Sequence, residues 1–131
     1  MLKTKSILKP REKSDGLRIS IMSRHTLNDG LTPHPEINDS SYDEWLKILA
    51  PPLNLVGEYY KRGLPWRGFE QRYLDYLRQP DIQLEVKKLA ERALSHQITI
   101  LCVEDSPEYC HRRLLAEECK RLYSSLELVL L

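Results

Sequence analysis

No stretch of the sequence is long and apolar enough to cross a membrane or to form the core of a signal peptide. A bilayer span takes about 20 predominantly apolar residues. The basic segment 1–13 also lacks the apolar run that export requires. We therefore expect a cytoplasmic protein with no membrane partner.

An excess of charge of one sign is missing as well. The 20 basic and 19 acidic side chains leave a formal net charge of +1. Such a balance gives no overall field that would attract nucleic acid or anionic lipid. We do not expect nucleic acid as a partner on this ground, and only a local patch of basic residues would change that expectation.

Cysteine is scarce and irregularly spaced. Cys102, Cys110 and Cys119 are odd in number and lack the paired close spacing of a zinc site. Free thiols are typical of a reducing compartment. The helix predicted at 107–123 places Cys110 and Cys119 on opposite sides, so we expect no disulfide between them. The sequence predicts no metal and no cofactor.

What the sequence contains is sufficient for one hydrophobic core. Its 131 residues are close to the commonest domain size. With 41% hydrophobic and 30% charged residues, the chain has the composition of a globular protein. We expect a single domain over residues 1–131.

Apolar periodicity predicts an alternation of strands and helices. The nearly continuous apolar run at 97–103 indicates a strand buried on both faces, as in a parallel sheet. Further strands are predicted at 4–8, 17–22 and 126–131, and helices at 53–62, 66–78, 81–95 and 107–123. This order predicts an α/β fold with a small parallel sheet of about four strands flanked by helices.

Two segments between the first strands and the helices need separate interpretation. Residues 23–40 show no apolar periodicity and are longer than most connections, which indicates a lid or a mobile loop. Ser41 and Glu44 have the spacing of a capping box, in which two side chains satisfy backbone donors of the first helical turn. The pattern predicts a further helix that begins there and ends before Pro51.

The candidate functional residues follow two of the predicted strands. In a parallel sheet the loops at the carboxyl ends of the strands share one edge, and ligands bind there. The loop after the second strand carries Arg24 and His25. The loop after the buried strand and the helix behind it carry Glu104, Ser106, Cys110, His111 and Arg112.

These residues predict a pocket for an anion. A helical wheel directs His111 and Arg112 toward the sheet, and a buried guanidinium needs a carboxylate, carbonyl groups or a bound anion as partner. The start of the helix, capped by Ser106, adds free N–H groups and a positive dipole end. Together with Arg24 and His25, it would attract phosphate or carboxylate.

Catalysis by a thiol is a second interpretation of the same residues. Cys110 lies near a helix start beside His111 and Arg112, where a thiolate is stabilised. Cys110, His111 and Glu104 are therefore the catalytic candidates. Cys102 lies inside the strand and is followed by the acidic Glu104, which disfavours the phosphate loop of cysteine-dependent phosphatases.

Two other interpretations remain for this region. In the first, Arg112, His111 and Glu104 only hold the last helix on the sheet. In the second, the same region binds a metal, which would require His25, His111, Glu104 and Cys110 to converge.

Aromatic and basic residues also alternate at 66–78, as on single-stranded nucleic-acid platforms. Helical spacing there indicates a core stripe instead, formed by Phe69, Tyr73, Tyr76 and Leu77.

Three short motifs together resemble a known family signature. They are Leu101-Cys102-Val103-Glu104, then Ser106-Pro107, then Cys110-His111-Arg112. This pattern resembles the domain of unknown function numbered 488 (DUF488), an uncharacterised bacterial and archaeal family. Arg24 and the helical segment 66–73 fit the same resemblance, which covers nearly the whole chain. It implies a Rossmann-like α/β fold and no established activity.

The sequence thus favours a domain that binds a small anionic or nucleotide-like ligand at the carboxyl edge of the sheet. Arg24 and Arg112 would clamp the charge, and His111 would donate a hydrogen bond or carry a proton. The alternative is a non-enzymatic interaction or oligomerising domain in which the Cys-His-Arg element is structural. The sequence leaves open whether the protein is an enzyme and whether it forms a homo-oligomer.

Overall fold

The structure, a computed structural model, describes residues 1–131. Five strands are present: β1 (Leu2–Ser6), β2 (Leu17–Ser20), β3 (Glu44–Trp45), β4 (Ile98–Cys102) and β5 (Leu128–Leu130). The α-helices are α1 (Leu53–Lys61), α2 (Trp66–Leu77), α3 (Pro80–Ser95) and α4 (His111–Leu122). All strand pairs are parallel, in the order β3-β2-β4-β1-β5.

This architecture confirms the predicted α/β, Rossmann-like fold. The central strand β4 lies between β2 and β1, and all of its residues are buried, as its continuous apolar run predicts. The sheet has five strands rather than about four. Because β2 and β4 are parallel neighbours, the loops that follow them leave the sheet at the same edge.

The additional strand, β3, replaces the helix predicted to start at Ser41. The backbone N–H of Asp43 donates to the Arg18 carbonyl at 2.7 Å, and that of Leu46 donates to the Ser20 carbonyl at 3.0 Å. The Asp43 carboxylate accepts the Arg18 N–H at 2.8 Å. These bonds to β2 outcompete the local capping box, so the helix prediction was wrong. A short 3-10 helix, Lys47–Leu49, follows instead.

Two other predicted elements have different bounds. The first strand covers Leu2–Ser6 rather than 4–8, and its residues Lys3 and Lys5 are buried. Their ammonium groups lie 2.7 and 3.0 Å from the fully buried carboxylate of Asp15, which compensates their charges. Helix α4 begins at His111 rather than 107, so the segment between β4 and α4 is a loop.

The segment 23–40 contains ordered local structure. Thr26 and Pro33 form an antiparallel bridge, and the Leu27 N–H donates to the Thr32 carbonyl at 2.8 Å. Gly30 has a φ of 75° at the tip of this hairpin, a conformation that favours glycine. Residues 26–33 therefore form a hairpin with a defined backbone path.

The main core lies between the sheet and the helices. It contains 20 buried residues, among them Phe69, Tyr73 and Leu77 from the predicted stripe of α2. A second cluster of five lies at the carboxyl edge and consists of Ile7, Met22, Leu101, Cys102 and Cys110. No helix combines the length and apolar composition that a membrane crossing requires.

Candidate functional site

A cleft of about 90 Å³ lies at the carboxyl edge of the sheet. Its walls come from the loop after β2, the loop after β4, the second half of α1 and the starts of α2 and α4. Polar or ionisable lining groups are Ser23, Arg24, Thr26, Asn28, Glu104, Cys102, Cys110 and His111. The cleft is small beside the roughly 300–1,000 Å³ of sites for drug-sized ligands. Its enclosed part therefore suits one ring or one charged group.

Aromatic rings form the wall on the side of α1 and α2. Tyr59 lies edge-on to Trp66 with ring centroids 5.8 Å apart, and Trp66 stacks on Phe69 at 5.3 Å. Tyr60 and Tyr109 stand at the mouth, 48% and 57% exposed. Their partly exposed faces offer planar surfaces on which a ligand ring can stack.

Arg24 is the one arginine that lines the cleft. Its guanidinium packs against Gly30, where an added Cβ would lie 2.7 Å from Nη1. The side chain makes no ion pair or hydrogen bond with another residue. A guanidinium in this position has its donors free for a carboxylate or phosphate group.

Glu104 also lines the cleft and is oriented by Tyr60. The Tyr60 hydroxyl donates to Oε1 of Glu104 at 2.6 Å. Burial and this carboxylate raise the pKa of Tyr60, so the hydroxyl stays protonated and keeps donating. The bond joins α1 to the loop after β4. The cleft lining thus contains both a cation, Arg24, and a carboxylate, Glu104.

Cys102, Cys110 and His111 form a compact cluster in the lining of the cleft. Their two sulfur atoms and one ring nitrogen all lie within 4.8 Å of one another. Cys102 Sγ is 3.6 Å from Nδ1 of His111, whose Nε2 is 2.8 Å from the Ile21 carbonyl. Since a carbonyl only accepts, Nε2 carries the proton and Nδ1 presents its lone pair to the sulfur atoms.

The two thiols have different proton affinities. Burial raises the pKa of Cys102, whereas hydrogen bonds from the Cys110 thiol and the Glu104 N–H and the charge of Arg112 lower it. The lowering effects are larger, so the pKa of Cys102 is below its ordinary value. Burial and the neighbouring Cys102 raise the pKa of Cys110. Cys102, rather than Cys110, is therefore the more readily ionised thiol of this cluster.

Arg112 lies behind the cleft and does not line it. The side chain is fully buried, and its guanidinium donates to the carbonyls of Glu104 at 2.6 Å, Asp105 at 3.3 Å and Leu131 at 3.1 Å. Nη1 also lies 3.4 Å from Cys110 Sγ, whereas Nε has no partner. Arg112 thus holds the loop after β4 in place, and Arg24 and Arg112 do not clamp one cleft together.

His25 and Ser106 also lie outside the lining. The His25 ring stacks on Trp45 at 3.9 Å, and its Nε2 is 2.7 Å from the Ser20 hydroxyl. Burial, with repulsion from Lys47, lowers the pKa of His25 to about 4. Ser106 is exposed and accepts a hydrogen bond from the Glu108 N–H at 3.2 Å.

The structure therefore brings together four of the predicted site residues, Arg24, Glu104, Cys110 and His111. Sequence reasoning missed Cys102 and the aromatic wall. Cys102 is the last residue of β4. Its position at the carboxyl end of a buried parallel strand could have indicated that it lines the site. The aromatic residues come from helices whose spacing indicates only a core, so no local pattern distinguishes them.

Comparison with known proteins identifies the family. The model of the active DUF488-N3 subclade, DUF488-N3a, matches residues 2–121. No curated protein and no solved structure matches the chain. The match covers most of the sequence, including both loops at the carboxyl edge of the sheet, and the chain belongs to the DUF488 family.

Proposed function

We propose that the cleft binds a small anionic ligand with one planar ring, of the size of a mononucleotide. The observation that carries the proposal is Arg24, an arginine without a protein partner that lines a cleft walled by aromatic rings. Burying a guanidinium partly in a cleft without a counter-charge is unfavourable, and a ligand phosphate or carboxylate would supply that charge.

The second charged group of the lining, Glu104, favours a nucleotide over a bare anion. The Glu104 carboxylate would repel a phosphate placed beside it, but it accepts hydrogen bonds from sugar hydroxyls or ring N–H groups. A ligand of matching polarity has its anionic end at Arg24 and its hydroxyl or N–H end at Glu104. The rings of Tyr60 and Tyr109 then lie at the mouth, beside the planar part.

The size of the cleft limits the ligand. A volume of about 90 Å³ encloses one group, and the remainder of the ligand lies in the open mouth. A dinucleotide or a long chain would leave most of its surface in water. The description of the matching subclade as active supports a cleft that is in use.

Thermal unfolding in the presence of small ligands tests the proposal. The set contains adenosine and cytidine monophosphates, adenosine, ribose 5-phosphate and inorganic phosphate. A bound ligand at about 100 times its dissociation constant adds about 2.7 kcal/mol to the free energy of unfolding. We expect at least one monophosphate to stabilise the chain more than its nucleoside or phosphate alone.

Two matched variants locate the effect. Arg24→Gln should abolish the part of the stabilisation that depends on phosphate. Arg67→Gln removes an exposed arginine at the start of α2 that does not line the cleft, and it should change nothing. If all the ligands leave the unfolding temperature unchanged, or if Arg24→Gln binds as the wild type does, the proposal fails.

Failure would favour the interaction domain that the sequence also allows. The hairpin at 26–33 exposes Leu27 and Leu31, which are 41% and 84% exposed. Such apolar side chains at the tip of a loop suit a contact with another chain. Sedimentation of the ligand-free protein then distinguishes a homo-oligomer from a monomer.

A further inference from the structure

The cluster of Cys102, Cys110 and His111 has the composition of a metal site. Two thiol sulfurs and one imidazole nitrogen converge within 4.8 Å of one another. Both cysteine residues are only 2% exposed. Thiolate and imidazole ligands select zinc over magnesium, calcium or manganese, which prefer oxygen.

The separation of one donor pair matches a tetrahedral zinc ion. Bonds of about 2.3 Å to sulfur and about 2.0 Å to nitrogen, at a tetrahedral angle, place the two donor atoms about 3.5 Å apart. Cys102 Sγ and His111 Nδ1 are 3.6 Å apart. The two residues need little movement to share an ion.

The surroundings of the donors also fit. Metal-binding histidines usually donate their other ring N–H to a carbonyl or carboxylate, which fixes the tautomer. His111 does this through Nε2, which lies 2.8 Å from the Ile21 carbonyl and leaves Nδ1 free as a ligand. No metal is required for that orientation, so the imidazole is already directed at the sulfur atoms.

Arg112 supplies a second supporting contact. It is fully buried, and its guanidinium donates to backbone oxygens of Glu104, Asp105 and Leu131. Its Nη1 lies 3.4 Å from Cys110 Sγ. Metal binding deprotonates cysteine ligands, and the guanidinium would stabilise the thiolate that forms.

We propose that Cys102, Cys110 and His111 bind one Zn²⁺ ion in the wall of the cleft. Three protein ligands leave the fourth coordination position open, as in catalytic rather than structural zinc sites. Because all three residues line the cleft, that position faces the bound ligand. The inference deepens the proposed function, since an oxygen of the ligand or a water molecule would occupy the open position.

Zinc content measured without any organic ligand tests this inference. The reduced chain is incubated with zinc chloride, dialysed against buffer and analysed by mass spectrometry of the metal. We expect about one zinc ion per chain. Cys102→Ser, Cys110→Ser and His111→Gln should each lower the affinity by more than the ~10–100-fold that loss of an outer-shell partner causes.

Cys119→Ser is the matched control. Cys119 is also buried, but its sulfur contacts the Val86 carbonyl on α3 and lies outside the cluster. This variant should bind zinc as the wild type does. Equal zinc content in all four variants would overturn the inference, because the ion would then be bound elsewhere.

Cobalt substitution gives a readout that needs no variant. Co²⁺ bound to the wild-type chain should show the visible bands of four-coordinate cobalt and a thiolate charge-transfer band in the near ultraviolet. Absence of both bands, or of stoichiometric zinc, overturns the inference. Nucleotide binding is measured separately, so a chain that binds nucleotide but no zinc refutes only the metal site, and the converse refutes only the proposed ligand.

Discussion

Arg112 Nη1 donates to the backbone carbonyl of Glu104 at 2.6 Å, and this bond fixes the side chain that forms one wall of the cleft. Glu104 in turn accepts the Tyr60 hydroxyl on α1. The buried Arg112 therefore holds Glu104 in place through the Glu104 backbone. Arg112 positions the loop after β4, while Arg24 provides the unpaired positive charge in the cleft.

Replacing Arg112 should destabilise the fold. Arg112→Met removes the donor of three partly buried hydrogen bonds, to backbone oxygens of Glu104, Asp105 and Leu131, and each lost bond costs about 1 kcal/mol. We expect urea unfolding to show a loss of about 3 kcal/mol. Arg67→Met, at an exposed position, should change stability by less than about 0.5 kcal/mol. Equal stabilities of the two variants would contradict the positioning role.

Gly30 should affect ligand affinity through Arg24. A Cβ at this position would lie 2.7 Å from Arg24 Nη1, so Gly30→Ala must displace the guanidinium. Gly63 is a matched control, because its φ of 74° imposes the same backbone strain with no atom within 4 Å of an added Cβ. Both variants should lose about 1 kcal/mol of stability.

Calorimetric titration with the monophosphate found by thermal unfolding separates the two variants. Only Gly30→Ala should bind more weakly, by about tenfold if displacement of Arg24 costs about 1.4 kcal/mol. An unchanged dissociation constant in Gly30→Ala would show that the position of Arg24 does not matter for binding.

Acid should remove a stabilising contribution of Glu118. Burial alone would raise the pKa of this carboxyl, but hydrogen bonds from Arg121 and Arg78 outweigh it and lower the pKa from 4.5 to about 2. Because the folded pKa is below the unfolded one, the contribution is present above about pH 4.5 and lost as pH falls toward 2.

The matched variants are Glu118→Gln and Glu117→Gln. Glu118→Gln should cost about 1–3 kcal/mol at pH 7, less than the full shift implies because both arginine partners are half exposed. The difference from wild type should vanish near pH 2. Glu117 is 49% exposed, and its replacement should cost less than about 0.5 kcal/mol at either pH. A constant effect of Glu118→Gln across this range would contradict the shift.

His25 should titrate well below an ordinary histidine. Burial, with repulsion from Lys47, lowers its pKa from 6.5 to about 4. The neutral ring is favoured in the fold, so its contribution to stability is present above pH 6.5 and lost as pH falls through about 4. NMR of the ring protons should give a midpoint near 4, and Lys47→Met should raise it. A wild-type midpoint above 6 would mean that the stack on Trp45 does not bury the ring.

The sequence allowed prediction of the elements whose periodicity is strong. Helices α1 to α3 and the buried strand β4 were predicted within a few residues because apolar spacing decides them locally. Strand β3 could not be predicted, because it depends on bonds from Asp43 and Leu46 to a strand more than twenty residues away. Helix α4 begins only at His111, after a loop in which the Glu104 and Asp105 carbonyls accept hydrogen bonds from Arg112.

The candidate site was predictable to the extent that the sheet edge defines it. Arg24, Glu104, Cys110 and His111 follow parallel strands and meet in one cleft. The direction of Arg112 was not predictable, since a helical wheel assigns a face and not the partner of a long side chain. The apolar run assigns Cys102 to strand β4, and its position as the last strand residue places it in the cleft wall.

The location of a bound nucleotide tests most directly whether the cleft is a ligand site. A ¹⁵N–¹H correlation spectrum of the chain, recorded during titration with a monophosphate that stabilises it, reports which backbone groups sense the ligand. We expect the largest shifts at Ser23, Arg24, Asn28 and Glu104, all in the cleft lining. Shifts confined to other surfaces, or none at a concentration that saturates the thermal effect, would contradict a ligand site in this cleft.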